Sequence, residues 1–314
     1  MEEKSPPLIL IAGAFAAIYV IWGTTYLASY FAIQSIPVFL MCGSRFVTAG
    51  TLLLLAGLIF QPGRPTLRNV AHATWAGFLF LVIGTGGVVW AEQYVDTGLT
   101  ALIISTQPLI VALMLIGINR QRPPWSSFFG IGLGMLGMGL LVTQGEVFSQ
   151  ASDWWGIASI GIAILAWAYA SVIIKKLDLP KAQMQNSGLQ MLCAGIILIL
   201  ISLISGEASG FSFSELTQKS FLSWLFLIVF GSWIGFLSYN FLLQHISPER
   251  VSTNTYVNPV VAMLLGWALN NEKLTRTSIL AAVLMLTGVF IINMRKYFKK
   301  RAQRATALKS QLSD

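Results

Sequence analysis

Residues 81–119 read LVIGTGGVVWAEQYVDTGLTALIISTQPLIVALMLIGIN, and residues 232–270 read SWIGFLSYNFLLQHISPERVSTNTYVNPVVAMLLGWALN. Superimposed without a gap at an offset of 151, they bring Val82-Ile83-Gly84 onto Trp233-Ile234-Gly235. Gln93 falls on Gln244, Pro108 on Pro259 and Asn119 on Asn270. The register holds from about 75–142 against 226–293, where Gly137 meets Gly288. A shorter match at offset 145 sets Trp22 on Trp167 and Arg45-Phe46-Val47-Thr48-Ala49-Gly50 on Gln190-Met191-Leu192-Cys193-Ala194-Gly195. The chain is an internal duplication. In membranes, duplicated halves place a substrate path where the copies meet.

The two copies are membrane domains by composition. Apolar residues make up 55% of the chain and charged residues 10%, with a mean hydropathy of +0.72. A soluble domain carries about 25% charge. Ten apolar runs are each close to the ~20 residues that cross a ~30 Å hydrocarbon core: 8–29, 37–60, 74–93, 99–118, 126–143, 154–175, 184–205, 221–243, 252–269 and 277–294. None alternates every second residue, so helices and not barrel strands are expected. Little chain is left for a soluble catalytic module. The first run is longer than a signal-peptide core and follows only Lys4, so it reads as part of the fold. Cys42 and Cys193 fall inside spans without metal-ligand neighbours and read as buried thiols.

Lysine and arginine placement sets the expected orientation. With the N-terminus inside, the inner segments hold sixteen of the twenty and the outer segments three (Lys219, Lys273 and Arg276), leaving Arg45 within span 2. Both termini are therefore expected in the cytoplasm. Five spans per copy is an odd number, so the copies enter from opposite faces. The expected fold is an all-α integral membrane protein of ten transmembrane helices as two inverted five-helix repeats, 8–143 and 154–294. A basic cytoplasmic tail, 295–314, reads as a topology anchor, with a patch for anionic lipid or a partner as the alternative.

Several motifs stand in order along this frame: Trp22-Gly23; Pro37 with Arg45-Phe46; Ala91-Glu92-Gln93-Tyr94 with Thr100-Ala101-Leu102-Ile103; Thr106-Gln107-Pro108 and Val257-Asn258-Pro259; and Asn271-Glu272-Lys273-Leu274-Thr275 before a last span containing Gly288. The chain resembles the EamA-type drug/metabolite transporter superfamily over nearly its whole length. The resemblance implies a ten-helix secondary transporter, commonly an exporter of amino acids or other small metabolites across the bacterial inner membrane. One departure is Gln121, which stands where the second copy has Glu272.

Candidate machinery follows from residue chemistry. Pro108 and Pro259 each remove a backbone donor at equivalent places in spans 4 and 9. They read as helix breaks or gates, with Gln107, Tyr256 and Asn258 beside them; the alternative is a structural kink. Tyr19, Trp22 and Tyr26 share one face of span 1 by their spacing of three and four. Trp167 and Tyr169 occupy the equivalent part of span 6, and Trp90, Trp233, Tyr239 and Asn240 lie on spans 3 and 8. Aromatic rings with polar edges suit amphipathic solutes, whereas Trp154 and Trp155 at a span end read as an interface belt. Arg45 is the clear intramembrane charge. It costs at least ~2.5 kcal/mol in lipid, so it is expected to pair, snorkel or face water, with Glu92 as one candidate partner. The glycines of span 5 (130, 132, 134, 137 and 139) read as close helix packing within one chain.

No nucleophile–base pair, metal set or nucleotide loop of the Walker type is visible, so neither an enzyme, a cofactor nor ATP drive by this chain is expected. His72 and His245 are read as lying in cytoplasmic loops. The expected function is a secondary or facilitative transporter of small organic metabolites, amino acids or similar solutes, exporting by alternating access. A passive channel or lipid-moving bundle is the alternative. Its partners are the solute and membrane lipids, not nucleic acid. Proton or exchange coupling, and a monomer or homodimer, stay open.

Overall fold

The computed structural model describes residues 6–95, 97–143, 154–270 and 274–311. Among them, nine helical stretches are long and apolar enough to cross a membrane. They are Leu8–Ala32 (span 1), Val38–Phe60 (span 2), Leu67–Ala91 (span 3), Leu99–Asn119 (span 4), Trp125–Val142 (span 5), Trp154–Lys176 (span 6), Gln183–Ile204 (span 7), Gln218–His245 (span 8) and Arg276–Asn293 (span 10). The tenth run forms the 17-residue helix Asn254–Asn270 (span 9), with the short helix Pro248–Val251 before it. No strand occurs among the described residues. The helix of span 10 continues to Gln311, so the basic tail extends that helix.

Local chemistry sets the helix ends. Spans 1, 2 and 5 follow Pro7, Pro37 and Pro124, whose missing N–H costs nothing at a helix start. Span 3 begins at Leu67, seven residues before the apolar run. There the Thr66 hydroxyl accepts from Asn69 N at 3.1 Å and the Asn69 side chain accepts from Thr66 N at 3.0 Å, a reciprocal capping box. This polar first turn also takes in His72, which is helical and not in a loop; its Nδ1 accepts from Asp178 N at 2.8 Å. His245 likewise ends a helix. Span 7 ends at Gly206, whose φ of 76° suits a residue without Cβ.

Spans 3 and 8 share one departure from α geometry. Phe78–Gly86 and Leu227–Phe236 are π-helical and overlap at offset 151. Thr85 Oγ1 donates to the carbonyl of Phe80, five residues back, at 3.3 Å. Such wide turns often accompany functional sites.

Helix pairing follows the duplication. Span 2 packs on span 7 and span 5 on span 10. Span 1 packs on spans 8 and 9, as span 6 packs on spans 3 and 4. Exchanging the copies leaves this pattern unchanged, as a pseudo-two-fold axis requires. Small residues let the paired backbones approach. A Cβ on Gly195 would stand 2.5 Å from Val47 N, and one on its repeat-mate Gly50 would meet Leu192 N. In span 5, Gly130 and Gly137 face span 10 and Gly134 faces Tyr256, whereas Gly132 and Gly139 face open space.

Contacts between connecting segments close each end of the bundle. At one end, Arg68 Nε lies 3.6 Å from Asp178 Oδ2, Gln61 Oε1 accepts from Met184 N at 3.0 Å, and Asn119 Nδ2 donates to Val172 O at 3.1 Å. At the other, Ser220 Oγ donates to Phe31 O at 2.7 Å and Glu207 Oε1 accepts from Phe39 N at 2.8 Å. Burial pushes the Glu207 carboxyl above its ordinary value, against the backbone donors of Phe39 and Leu40. Leu52, Leu55, Leu113, Phe129, Leu136, Leu200 and Phe290 point outward, a surface suited to lipid.

Gly195→Leu is expected to lower the thermal unfolding midpoint of the detergent-purified protein, with overpacking of roughly 1–3 kcal/mol. Gly13→Ala, whose Cβ would meet nothing within 4 Å, is expected to leave it unchanged. Equal midpoints for the two variants would contradict the close seam between spans 2 and 7.

Candidate functional site

A cavity of about 140 Å³ lies between the copies. Span 1 supplies Trp22, Thr25, Tyr26 and Ser29, one stripe at helical spacing. Span 2 supplies Arg45 and Phe46, and span 3 supplies Gly84, Thr85 and Val88, with Glu92 one residue past its end. Gln107 of span 4 and its repeat-mate Asn258 of span 9 both reach it, as do Trp167 of span 6 and Gly231 and Ser232 of span 8.

The two equivalent tryptophans meet at the centre. Their ring centroids lie 5.8 Å apart at an interplanar angle of 82°. Trp22 rests on Gly235 and Trp167 on Gly84, each indole occupying the place where a Cβ of the other copy would stand. Trp22 Nε1 donates to Gly231 O at 3.3 Å. Trp167 Nε1 donates to Tyr239 Oη at 2.6 Å, and Tyr239 is bonded to Ser171 Oγ at 2.9 Å. The indoles are thereby oriented from behind.

Arg45 is 6% exposed. Its Nε donates to Ser232 Oγ at 2.9 Å, and its guanidinium carbon lies 4.9 Å from the Phe46 ring centroid. Glu92 does not pair with it: the ion pair found among the described residues is Arg68 with Asp178. Glu92 Oε2 and Asn254 Oδ1 are closed off from solvent without a hydrogen-bond partner. The cavity thus presents a cation with donors to spare, an unpaired carboxyl and a pair of indoles.

The proline sites differ from their expected equivalence. Span 4 breaks at Ser105 and Thr106, whose hydroxyls donate to Leu102 O and Ile103 O at 2.7 Å, and Pro108 stands in the first turn after the break. In the second copy the turn comes earlier, at Ser252 and Thr253, and Pro259 lies inside a continuous helix. The Asn258 amide nitrogen is placed to donate to Asn254 O at 3.0 Å and to Tyr19 O at 3.2 Å, tying span 9 to span 1. Neither proline lines the cavity, though the residue before each does.

Of the aromatic and amide candidates, Trp22, Tyr26, Gln107, Trp167 and Asn258 are brought together. Tyr239 stands behind the indoles, fully buried. Trp90 packs on Tyr94 at 4.8 Å, outside the lining. Tyr169 is two residues from Trp167, about 200° around the helix, and is 36% exposed. Asn240, one residue from Tyr239, turns into the contact with span 7, where its Nδ2 donates to Ser187 Oγ at 3.1 Å. Tyr256 donates to Ile131 O at 3.3 Å in a separate core of spans 5, 9 and 10. Sequence proximity grouped these residues; helical phase separates them. Thr25 and Ser29 were legible, being three and seven residues from Trp22. Ser232 carried no signal, since its repeat-mate is Leu81. Glu272 lies outside the described residues. Gln121 follows Arg120, which has a φ of 51°, at the end of span 4.

The cavity is not symmetric about the tryptophans. Thr25, Tyr26 and Ser29 line it, whereas their mates Ala170, Ser171 and Ile174 are buried in packing. Val88 lines it, whereas its mate is Tyr239. The hollow crosses the pseudo-axis, since the mates Thr85 and Phe236, Ile104 and Thr255, and Gln107 and Asn258 all line it, but it reaches further on the side of Thr25, Ser29 and Val88.

Residues 8–143 and 154–294 each match the EamA-like transporter family. The chain is 35% identical over 294 residues to the uncharacterized inner membrane transporter YedA of Escherichia coli K12, with 92% of each chain covered. It is 24% identical to protein PagO of Salmonella typhimurium LT2, over 90% of this chain and 92% of that one. A protein crystal structure superposes with a TM-score of 0.75 at 17% identity, over 92% of this chain and 98% of that one, a likeness of fold.

Tyr239→Phe, which leaves the Trp167 N–H and Ser171 without their shared partner, is expected to cost about 1–3 kcal/mol. Thermal unfolding followed by tryptophan fluorescence reads this loss, and Tyr169→Phe is expected to leave the curve in place. Coincident curves for Tyr239→Phe and the parent chain would contradict the supporting role of Tyr239.

Proposed function

We propose, from the fact that this chain belongs to the EamA-like transporter family, that it is a secondary carrier exporting a small amphipathic organic solute such as an amino acid. The observation that carries this reading is the uneven cavity, which spans the contact between the copies and extends further on the Thr25–Ser29 side than on the side of their mates. Two inverted copies can each be more open or more packed, and a hollow lined by Thr25, Tyr26 and Ser29 with their mates Ala170, Ser171 and Ile174 packed is one member of an exchanging pair. Rocking the spans around Trp22 and Trp167 reverses which side is filled.

Each wall suggests what the solute offers. Arg45 keeps a planar donor fork beyond its bond to Ser232, matched to a carboxylate. Trp22 and Trp167 offer ring faces to an apolar or cationic group. Tyr26, Gln107 and Asn258 supply hydrogen bonds that fix orientation. The volume limits the solute, since a cavity of about 150 Å³ holds a molecule of benzene's size. The charge count supports cytoplasmic termini, and the name given to YedA, an inner membrane transporter, supports the bacterial inner membrane.

Vesicles containing the purified protein test the reading with tritiated glycine and L-alanine, each no larger than benzene, as probes. Expected are saturable uptake and acceleration by unlabelled amino acid on the far side. Arg45→Gln and Trp22→Ala are each expected to lower the rate about tenfold or more at equal insertion, the scale of a lost charge-assisted hydrogen bond. Flux linear in concentration and indifferent to the far side would identify a passive channel and contradict the carrier.

A further inference from the structure

We propose that Glu92 is a proton-binding site that gives up its proton when the cationic end of a zwitterionic solute enters the cavity, so that solute and proton movements are coupled. This rests on the transport reading above. Four observations support it. Glu92 lines the same cavity as Arg45, and its Oε2 is buried with no donor in reach. Arg45 is committed through Nε to Ser232 and makes no ion pair with Glu92. The repeat-mate of Glu92 is Leu243, which is buried. The repeat-mate of Arg45 is Gln190, also buried and bonded to Asn186 Oδ1 at 2.8 Å. Both charged side chains at the cavity therefore come from the first copy.

The physics is that of an isolated carboxyl. An ionised carboxylate that is partly buried, with one oxygen closed off from water and no cation or donor on it, is costly, and holding a proton removes the cost. The empty site then carries the single positive charge of Arg45, which attracts the solute's carboxylate. The solute's ammonium supplies the counter-charge Glu92 lacks. The carboxyl O–H then breaks, its electron pair stays on oxygen, and the proton leaves to water in the cavity. The loaded site, with Arg45, ionised Glu92 and a zwitterion, is neutral. The empty site returns protonated and positive. One proton and one positive charge therefore move opposite to each solute, and both a pH gradient and a membrane potential drive export.

The groups near Glu92 fit this role. Tyr26 on span 1 and Cys42 on span 2 are the titratable groups in electrostatic reach of Glu92, and Arg45 on span 2 lines the same cavity. Span 6 presents Gly156, Ile160 and Ile164 there. Glu207 is engaged by Phe39 N at the start of span 2. Neither histidine faces the cavity: His72 is bonded to Asp178 N, and His245 Nδ1 to Phe241 O at 2.8 Å. With one site per chain, the coupling is one proton per solute.

Infrared pH-difference spectra of the full-length protein in phosphatidylethanolamine–phosphatidylglycerol vesicles test the site without a known substrate. The carbonyl band of a protonated carboxyl is expected to persist above neutral pH in the wild type, to vanish in Glu92→Gln and to return in Glu92→Asp. No such band above neutral pH, or the same band in Glu92→Gln, would overturn the proposal. A mixture of the twenty standard amino acids is then added to vesicles loaded with a pH-sensitive dye. The wild type is expected to move protons opposite to the solute, and Glu92→Gln to lose that movement at least tenfold. Wild-type solute flux without proton movement would overturn the coupling while leaving the carrier intact. Without solute flux in any protein the transport reading itself fails, and the infrared band still decides the proton site.

Discussion

Two contacts govern the centre of this molecule: Trp22 on Gly235 and Trp167 on Gly84. Each indole from one copy lies where a side chain of the other would stand, so each contact exists only because the opposing residue has no Cβ. Both glycines lie in π-helical stretches. These widen spans 3 and 8 and offer carbonyls to the interior, and Gly231 O accepts from Trp22. The copies thus touch across the pseudo-axis through large rings on bare backbone. That contact bridges the copies without filling the space beside it, and the cavity is what remains.

Hydrogen bonds around the centre meet much of the cost of polar groups at membrane depth. Tyr239 holds the Trp167 N–H and joins Ser171, while Ser232 holds Arg45. The hydroxyls of Ser105, Thr106 and Thr253 bond carbonyls three residues back. Buried atoms without a partner also occur away from the cavity, Ser202 Oγ and Asn240 Oδ1 among them, but Glu92 Oε2 and Asn254 Oδ1 are the two on residues that line it, where a solute would complete them. Buried polar atoms without partners are rare enough in folded proteins to call for a reason. The charged residues stand only on the first-copy side, so the duplication supplies the symmetric frame and later divergence supplies the chemistry.

Much of the architecture was legible in the residues. The ungapped offset of 151 gave the duplication, and the hydropathy gave the spans. The alternation of spans divided the connecting segments into the two groups that the Arg68–Asp178 and Glu207–Phe39 contacts hold at opposite ends. The stripe of Trp22 and Tyr26 reached the cavity because three- and four-residue spacing fixes a helical face. What failed to carry over was phase. Tyr169 and Asn240 stand close in sequence to residues at the centre, yet a rotation of 100° per residue turns them to lipid or into a helix seam. The π-helical stretches escaped detection because their residues read as ordinary apolar helix. Ser232 meets Arg45 only through packing between copies, which no local pattern specifies.

The central claim is that the two copies exchange roles around a wet hollow, and reactivity at repeat-mates from the two membrane faces tests it most directly. Ser29→Cys and Ile174→Cys, each in a chain whose Cys42 and Cys193 have been replaced, are treated with a membrane-impermeant thiol reagent in right-side-out and inverted vesicles. The account predicts that the two positions react from opposite faces, and that conditions raising reactivity at one lower it at the other. Reaction of both from the same face, or a rise and fall in step, would contradict it.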